Sequence, residues 1–232
     1  MNGHYAIAID GPSGAGKSSL ARAAAAQFGF IYVDTGAIYR TVGLAAYRRG
    51  LDRHDENAVK AMLPELKIEM RYNEAGEQRM LLNGDDVSAE IREPEISICA
   101  SDVSALPAVR AFLLEMQRHM AREHSVIMDG RDIGTVVLPQ AELKIFLTAS
   151  AKARAARRLL ELRRKGIESS FEEVLRDIEY RDEQDTARAA APLKKADDAV
   201  LVDTSDIDFE QSLARLCGII EERLGVKRRS DA

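Results

Sequence analysis

A loop of small residues near the N-terminus, Gly11–Ser18, limits what this chain can fold into more than any other stretch. Its sequence, GPSGAGKS, matches the pattern G-x-x-x-x-G-K-[ST] and lies between the apolar run Tyr5–Ile9 and the Ala-rich stretch Lys17–Phe28. Glycines let successive backbone N–H groups approach phosphate oxygens, and the start of a helix adds partial positive charge. The stretch predicts a strand, a loop that binds the phosphates of a nucleotide, and a helix.

The side chains of this loop suit a nucleoside triphosphate and its magnesium ion. We expect Lys17 to neutralise the β- and γ-phosphates and the Ser18 hydroxyl to bind Mg²⁺. Ser19 is included only as part of the turn that faces the phosphates. The alternative, an ordinary glycine-rich turn before a helix, is disfavoured because motif and context coincide. The predicted ATP-binding residues are Gly11, Pro12, Ser13, Gly14, Ala15, Gly16, Lys17, Ser18 and Ser19.

Short apolar runs alternate with helix-forming segments along most of the chain. This alternation is typical of a parallel sheet covered by helices on both faces, so the predicted fold class is α/β with a five-stranded parallel sheet. The predicted strands are Tyr5–Ile9, Ile31–Asp34, Ser125–Asp129, Leu143–Leu147 and Ala199–Val202. The predicted helices are Lys17–Phe28, Ile38–Arg49, Pro107–Arg122, Ser150–Lys165, Phe171–Asp185 and Phe209–Leu224.

One segment, residues 57–94, departs from this alternation. Leu66–Tyr72 and Arg79–Leu82 have strand-like patterns and are separated by the turn sequence NEAGEQ. A second turn follows at Asn83–Asp85, which predicts a small antiparallel β insertion. The expected domains are a core of residues 1–56 and 95–232 and an inserted subdomain of residues 57–94.

Composition narrows the class of function. The net charge of −5 argues against a broad surface for nucleic acid or anionic membrane. The two cysteines, Cys99 and Cys217, fit no metal-ligand spacing, and the chain shows neither a signal peptide nor an apolar run of about 20 residues. We therefore expect a cytoplasmic protein. The base-reading motif of switch GTPases is absent, which disfavours that class. The absence of Trp and the aromatic content of 5% disfavour a DNA-translocating ATPase, since such proteins often have an extended basic or aromatic surface.

Two further segments predict a site for a second substrate. In DTGAIYR, Arg40 could clamp a phosphate while Thr35 and Tyr39 donate hydrogen bonds to it; a capped helix with a surface arginine is the alternative. In MDGRDIGT, Asp129 ends a strand and could hold Mg²⁺ through water, and Arg131 and Asp132 would enter the same crevice. A plain Asp-Gly turn is the alternative there.

Two charged stripes lie in helix-forming sequence. Asp177, Arg181, Asp185 and Arg188 are spaced four, four and three apart, so they should share one helical face. Arg154, Arg157 and Arg158 share a face within residues 152–165, which hold seven basic residues. A solvated ion-pair stripe is the simpler interpretation of each. The functional one is a mobile lid whose arginines neutralise a transferring phosphoryl group.

Taken in order, five segments resemble the bacterial cytidylate kinases over almost the whole chain. They are IDGPSGAGKSS, DTGAIYR, DGRDIGTVV, RDEQDTAR and APLKKADDAV. The resemblance implies a P-loop nucleoside-monophosphate-kinase fold with a helical lid at about 152–170, and residues 57–94 resemble the acceptor-side insertion of that family's long form. It also implies transfer of the γ-phosphoryl group of ATP to CMP or dCMP with Mg²⁺, giving CDP or dCDP and ADP.

The resemblance also implies residue roles. The acceptor phosphate would be held by Thr35, Tyr39, Arg40, Arg131 and Arg188, the cytosine by Ser101, Arg110 and Asp132, and the sugar by Arg181 and Asp185. The expected catalytic set is Lys17, Arg131, Arg157, Arg158 and Arg188, and the expected metal-side residues are Ser18 and Asp129. Two departures stand out: Thr35 occupies a position where many members have Ser, and Ser18 one where some have Gly.

The expected partners are small nucleotides, namely ATP, CMP and dCMP, with no nucleic acid and no membrane, and we expect a monomer. One rival is a kinase of the same fold that acts on UMP, AMP or a sugar-like alcohol. The several arginines expected at the acceptor disfavour the alcohol. A rival of another class is a binding module that hydrolyses ATP slowly as a switch.

Overall fold

The computed structural model describes residues 4–164, 166–188 and 190–229. These residues fold as two compact units, one containing residues 4–32 and 124–229 and the other residues 33–123. The strands of the first unit begin with β1 (Ala6–Asp10) and continue with β6 (Val126–Gly130), β7 (Leu143–Thr148) and β8 (Val200–Asp203), while β2 (Ile31–Asp34) crosses into the second unit. Its helices are α1 (Lys17–Phe28), α6 (Ala151–Arg164), α7 (Phe171–Ala187) and α8 (Phe209–Leu224).

The expected five-stranded parallel sheet is confirmed. Its strand order is β2-β6-β1-β7-β8, with β1 at the centre. Strand β1 pairs in parallel with β6 and β7, so that Asp10 lies opposite Gly130 on one side and Phe146 on the other. This register places the start of the Gly11–Ser18 loop and the DGRDIG segment at the same edge of the sheet, where ligands of open α/β sheets bind.

The core of the first unit surrounds β1. Ile7 and Ile9 of β1 are fully buried, and Leu20 of α1 and Leu216 of α8 pack in the same apolar cluster. Helices α6 and α7 are joined by a separate small cluster of Ala155, Leu159, Val174 and Ile178. The strands and helices on either side of the loop therefore share one apolar core, whereas α6 and α7 form a hairpin with its own contacts.

The second unit contains the insertion and three helices around α2 (Thr35–Arg48). The antiparallel sheet β3-β4-β5 (Ile68–Tyr72, Gln78–Leu82, Asp85–Asp86) confirms the predicted β insertion within residues 57–94. The other helices are α3 (Glu56–Met62), α4 (Pro94–Ser104) and α5 (Pro107–Glu123). A Cβ at Gly43 of α2 would lie 2.8 Å from the backbone nitrogen of Ala100, so this glycine lets α2 approach α4 closely.

Three sequence-based expectations need correction. Helix α2 begins at Thr35 rather than Ile38, because the Asp34 carboxylate accepts the Ala37 N–H and caps the helix there. Helix α7 ends at Ala187, so Arg188 follows the helix instead of continuing its face. Helices α3 and α4 were not predicted at all. The predicted end of α6, Lys165, lies outside the described residues.

Within the residues that the structure describes, no single helix is long and apolar enough to cross a membrane. The pair α4 and α5 passes the same length and composition test only when the two helices are taken together, and they are bent by 99°.

Candidate functional site

The phosphate loop has the backbone that its glycines predict. Gly11 has φ of +150°, and a Cβ there would lie 1.9 Å from the carbonyl oxygen of Leu147. Gly14 and Gly16 also have positive φ, and Gly16 is the N-cap residue that directly precedes α1. The chain can therefore turn from β1 into α1 only with glycine at Gly11, which leaves the loop amides close to the start of the helix.

Lys17 lies buried at the base of this loop. Its side chain is 5% exposed, and its Nζ donates to the carbonyl oxygen of Pro12 at 2.7 Å. Burial, followed by the positive charge of Arg131, lowers the pKa of the Lys17 ammonium to about 7. The negative charge of a bound polyphosphate would favour the charged ammonium and so offset this desolvation. Lys17 is therefore placed to bind an anion.

Ser18 and Asp129 meet at the carboxyl end of β6. The Ser18 hydroxyl donates to Asp129 Oδ2 at 2.8 Å, and the Tyr32 hydroxyl donates to Asp129 Oδ1 at 2.8 Å. One hydroxyl and one carboxylate suit Mg²⁺, which usually takes one or two protein oxygens together with substrate phosphates and water. No group of three or more His, Cys, Asp or Glu residues that could hold a metal occurs in the described part of the chain.

Sequence reasoning missed the role of Asp10, the residue before the loop. Its carboxylate is 4% exposed and accepts the backbone N–H groups of Ile133 and Gly134, each at 2.7 Å. Asp10 thereby ties the end of β1 to the segment that carries Arg131 and Asp132. A charged residue at the carboxyl end of a buried strand is a usable signal, but it does not name the partner.

The Asp10→Asn variant should change the pH dependence of folding. Burial outweighs the two backbone hydrogen bonds and raises the pKa of Asp10 from 3.8 to about 6. The folded state therefore binds the proton more tightly, and the stability contributed by Asp10 falls as pH rises through this window. We expect the unfolding free energy of wild type minus that of Asp10→Asn to fall by about 2 to 3 kcal/mol, since one pH unit is worth about 1.4 kcal/mol.

Urea unfolding of both proteins between pH 3.8 and about 6 measures this difference. Groups that do not interact with Asp10 titrate alike in both proteins, so their contributions cancel. A difference that does not change with pH, or that rises with it, would contradict the assignment.

A buried carboxylate, Asp185, joins two of the predicted phosphate-binding arginines. Its Oδ2 accepts from Arg131 Nε at 2.7 Å, and its Oδ1 pairs with Arg188 Nη2 at 2.6 Å. Arg181, one turn earlier on α7, is exposed, and so is Asp177. The structure thus separates the predicted stripe into a buried end that contacts Arg131 and an exposed end. Asp132, which was predicted to bind the acceptor nucleotide, is buried and directly precedes Ile133, whose N–H Asp10 accepts.

The three arginines of α6 occupy different surroundings. Arg154 is buried and pairs with Asp182 of α7. Arg157 donates to the Thr204 hydroxyl at 3.3 Å and to the Ile207 carbonyl at 3.4 Å, after β8. Arg158 is half exposed and pairs with Glu161 at 3.1 Å. The sequence could not predict these differences. Helical spacing shows only that the three arginines share a face of α6, and it does not identify the residues that each one contacts.

In the second unit, Asp34 organises the start of α2. It caps the helix and pairs with Arg40 Nη2 at 2.9 Å, and Thr35 beside it is buried. The Nε of Arg40 is buried and has no hydrogen-bond partner among the described residues. A buried guanidinium N–H without an acceptor is costly, so this group is suited to an anionic ligand.

Three further predicted residues lie near one another in the same unit. The guanidinium of Arg110 lies 5.5 Å from the centre of the Tyr39 ring. Arg110 Nη1 also donates to the Ser104 carbonyl at 3.1 Å, and the Ser104 hydroxyl donates to the carbonyl of Ser101 at 2.9 Å. The structure therefore brings together Tyr39, Ser101 and Arg110 from α2, α4 and the start of α5.

Comparison with known proteins gives the family. A family model described as cytidylate kinase matches residues 7–222. The chain belongs to the cytidylate kinase family. The cytidylate kinase of Syntrophotalea carbinolica is 47% identical over 223 residues, which cover 96% of this chain and 94% of the relative. That of Carboxydothermus hydrogenoformans is 50% identical over 214 residues, covering 92% and 96%. The resemblance predicted from the five segments is confirmed.

A solved structure gives a likeness of fold alone. An uncharacterized protein from Eubacterium ventriosum aligns with a TM-score of 0.50 at 13% identity, over 95% of this chain and 100% of that chain. Membership of the cytidylate kinase family therefore rests on sequence, and the arrangement of strands and helices agrees with the P-loop kinase fold that this membership implies.

Proposed function

We propose that this protein transfers the γ-phosphoryl group of ATP to CMP or dCMP, giving ADP and CDP or dCDP. The main observation in favour of an anionic acceptor is the buried Nε of Arg40, which has no hydrogen-bond partner among the described residues. The Asp185 carboxylate with Arg131 and Arg188 supports the same proposal, because it holds two guanidinium groups in defined orientations. Family membership supports cytosine nucleotides in particular.

The donor half of the proposal uses the first unit. The amides of the Gly11–Ser18 loop and the start of α1 would bind the β- and γ-phosphates of ATP, with Lys17 as their counter-charge. Ser18 and Asp129 would hold Mg²⁺, directly or through water, and bound Mg²⁺ would neutralise phosphate charge there. Asp129 is already oriented by the Tyr32 hydroxyl at 2.8 Å.

The acceptor needs orientation more than activation. A phosphate oxygen of CMP forms the new bond to the γ-phosphorus while the bond from that phosphorus to the β,γ-bridging oxygen breaks, and ADP keeps the electron pair. Because the attacking oxygen is already anionic, no strong general base is required. Thr35, Tyr39 and Arg40 are expected to bind the CMP phosphate. Arg131 and Arg188 are expected to stabilise negative charge as it spreads during transfer.

Base recognition is the most specific part of the proposal. Asp132 and Arg110 are expected to bind the cytosine edge, with Ser101, while Asp185 and Arg181 are expected to bind the sugar. We predict that Asp132→Ala and Arg110→Ala each reduce the ratio of kcat/KM for CMP to that for UMP by about 10-fold or more, because a lost hydrogen bond to a base edge costs about 1 to 3 kcal/mol. Steady-state rates with both nucleotides measure the ratio.

A matched control for this prediction is Glu115→Ala, which changes an exposed residue of α5 outside the proposed site. It should leave the CMP to UMP ratio unchanged. An unchanged ratio in both Asp132→Ala and Arg110→Ala would refute the base-reading assignment, whatever their absolute rates.

A coupled assay of ADP release with ATP and each nucleoside monophosphate tests the proposed activity. The proposal predicts release that depends on the acceptor and is fastest with CMP or dCMP. Faster release with UMP or AMP would identify another nucleoside monophosphate kinase. Release that does not depend on any acceptor would instead identify an ATPase.

We further infer a cytoplasmic monomer that uses small nucleotides and binds neither nucleic acid nor membrane. Cys99 and Cys217 are both buried and unpaired, which supports a reducing compartment. Size-exclusion chromatography with light scattering, at micromolar concentration with and without ATP, tests the oligomeric state: a mass near 25.6 kDa is expected, and a dimer mass would contradict it.

A further inference from the structure

Arg154 connects three segments of the first unit. It lies in the first turn of α6 and is 4% exposed. Its Nε donates to the Ala149 carbonyl at 2.9 Å, and its Nη1 donates to the Ser13 carbonyl at 2.9 Å and to Asp182 Oδ1 at 2.9 Å. Its Nη2 donates to the other oxygen of Asp182. The guanidinium thus donates hydrogen bonds to the phosphate loop, to the residue that follows β7 and to α7.

The contact with the phosphate loop is close. A Cβ at Gly14 would lie 3.6 Å from the Cβ of Arg154, so the loop backbone packs against the first turn of α6 at this point. The carbonyl of Ser13 lies between the glycines that shape the loop. A hydrogen bond from a buried charged group to this carbonyl therefore limits how far the loop can move.

The contact with α7 reaches the acceptor arginines through one helical turn. Asp182 is three residues before Asp185, whose carboxylate holds Arg131 and Arg188. A rigid helix connects Asp182 and Asp185, so the position of one fixes the position of the other. A continuous path of hydrogen bonds and one turn of helix therefore runs from the loop carbonyl to the two arginines.

The ion pair is not needed merely to hold α6 against α7. Ala155, Leu159, Val174 and Ile178 already pack these helices together in an apolar cluster. A buried, bidentate ion pair adds a defined geometry to that packing, and burying it costs desolvation that packing alone would avoid. What Arg154 adds beyond this packing is its hydrogen bond to the Ser13 carbonyl of the phosphate loop.

We propose that Arg154 is a positioning residue for phosphoryl transfer, which through Ser13 and Asp182 fixes the phosphate loop relative to the arginines that Asp185 holds. The inference rests on the proposed function and adds to it. In-line transfer depends on the distance and angle between donor and acceptor, and a misplacement of about 1 Å can cost about 100-fold in rate. Arg154 itself touches neither substrate in this assignment.

The test uses two variants that keep side-chain volume. Arg154→Lys retains a positive charge but has one ammonium group in place of the planar fork, and Asp182→Asn removes the charge of its partner. Truncation to alanine is avoided because it would also leave a cavity and remove every side-chain hydrogen bond at the position. The matched controls are Arg176→Lys and Glu183→Gln, which make the same chemical changes at exposed positions of α7.

The kinetic readout is kcat per active site, with active sites counted by titration with a non-hydrolysable ATP analogue. We expect kcat to fall by about 10- to 100-fold in Arg154→Lys and Asp182→Asn, with both KM values changed by less than about threefold. The double variant should be no slower than the slower single variant by more than about twofold, since both remove one interaction. The controls should keep the wild-type kcat.

A second readout does not depend on turnover. Hydrogen exchange of the amides of residues 11–19, followed by mass spectrometry in nucleotide-free protein, should be faster in Asp182→Asn than in wild type or Glu183→Gln. A substitution in α7 would then change the exchange rate of a loop that Asp182 contacts through Arg154.

Two results would overturn the proposal. One is an unchanged kcat per active site in both variants, even if their melting temperatures fall, because the ion pair would then be structural only. The other is loop exchange in Asp182→Asn that equals wild type. If wild-type protein releases no ADP in response to CMP, the proposed function fails, and the exchange experiment still decides whether Arg154 links α7 to the loop.

Discussion

Replacing Lys17 with alanine is expected to lower kcat/KM for phosphoryl transfer by about 1,000-fold or more while the protein remains folded. The ammonium is a buried positive charge at the base of the phosphate loop, and it donates to the Pro12 carbonyl at 2.7 Å. Losing a preorganised charge that stabilises a transferring phosphoryl group typically costs about 100- to 100,000-fold. The loss to folding is small by comparison, about 1 kcal/mol for one hydrogen bond.

Steady-state rates with ATP and CMP, together with circular dichroism, measure this effect. The control is Lys60→Ala in α3, where the lysine is exposed and lies outside the proposed site. It should keep the wild-type rate. A Lys17→Ala protein with near-normal turnover would rule out the role assigned to this side chain.

Among glycine-to-alanine substitutions in the phosphate loop, Gly11→Ala should lower the free energy of unfolding most. The new Cβ would lie 1.9 Å from the Leu147 carbonyl oxygen of β7, and φ of +150° is a conformation that alanine rarely adopts. The backbone of β7 cannot move away without breaking its pairing with β1. We expect the free energy of unfolding to fall by about 3 kcal/mol or more and ATP binding to be lost.

Gly76→Ala is the matched control for this effect. Gly76 also has positive φ, +71°, but a Cβ there meets nothing within 4 Å. Gly76→Ala should lower the free energy of unfolding by only about 1 kcal/mol, which is typical for a residue other than glycine in the left-handed conformation. Urea unfolding of the two variants separates the steric term from the conformational one. Equal losses in both would show that the contact with Leu147 is easily relieved.

Local sequence was enough to predict much of the first unit. Helices Lys17–Phe28 and Phe209–Leu224 and strand Ile31–Asp34 have the predicted bounds, because a motif, an apolar period or a glycine marks each end. Other predicted strands are displaced by about one residue, the usual uncertainty of strand ends. The position of the phosphate loop between β1 and α1 could be predicted, since the motif that marks it lies in consecutive residues.

Helix α4 could not be predicted, because its sequence, PEISICASDVS, has weak helix formers. Burial of Ile96, Cys99 and Val103 stabilises it instead. Such tertiary stabilisation overrides local propensity and leaves no periodic signal strong enough to distinguish this segment from a loop.

The contacts of the site were the least predictable part. Arg131 and Asp185 are 54 residues apart in sequence, and Arg154 and Ser13 are 141 apart. Helical spacing placed Arg181 and Asp185 on one stripe but could not tell that Asp185 is buried and Arg181 exposed. Family resemblance supplied residue identities such as Ser101 and Arg110, for which the pattern of residues gave no signal. The links made by Asp10 and Arg154 came only from the three-dimensional structure.

The fate of the γ-phosphoryl group tests the central claim most directly. Wild-type protein would be incubated with ATP labelled with ³²P in the γ position and with CMP, and the nucleotides and inorganic phosphate would be separated by chromatography. The account predicts that the label appears in CDP, in amounts equal to the ADP formed and only when CMP is present. Label that appears as inorganic phosphate at the same rate with and without CMP would contradict it.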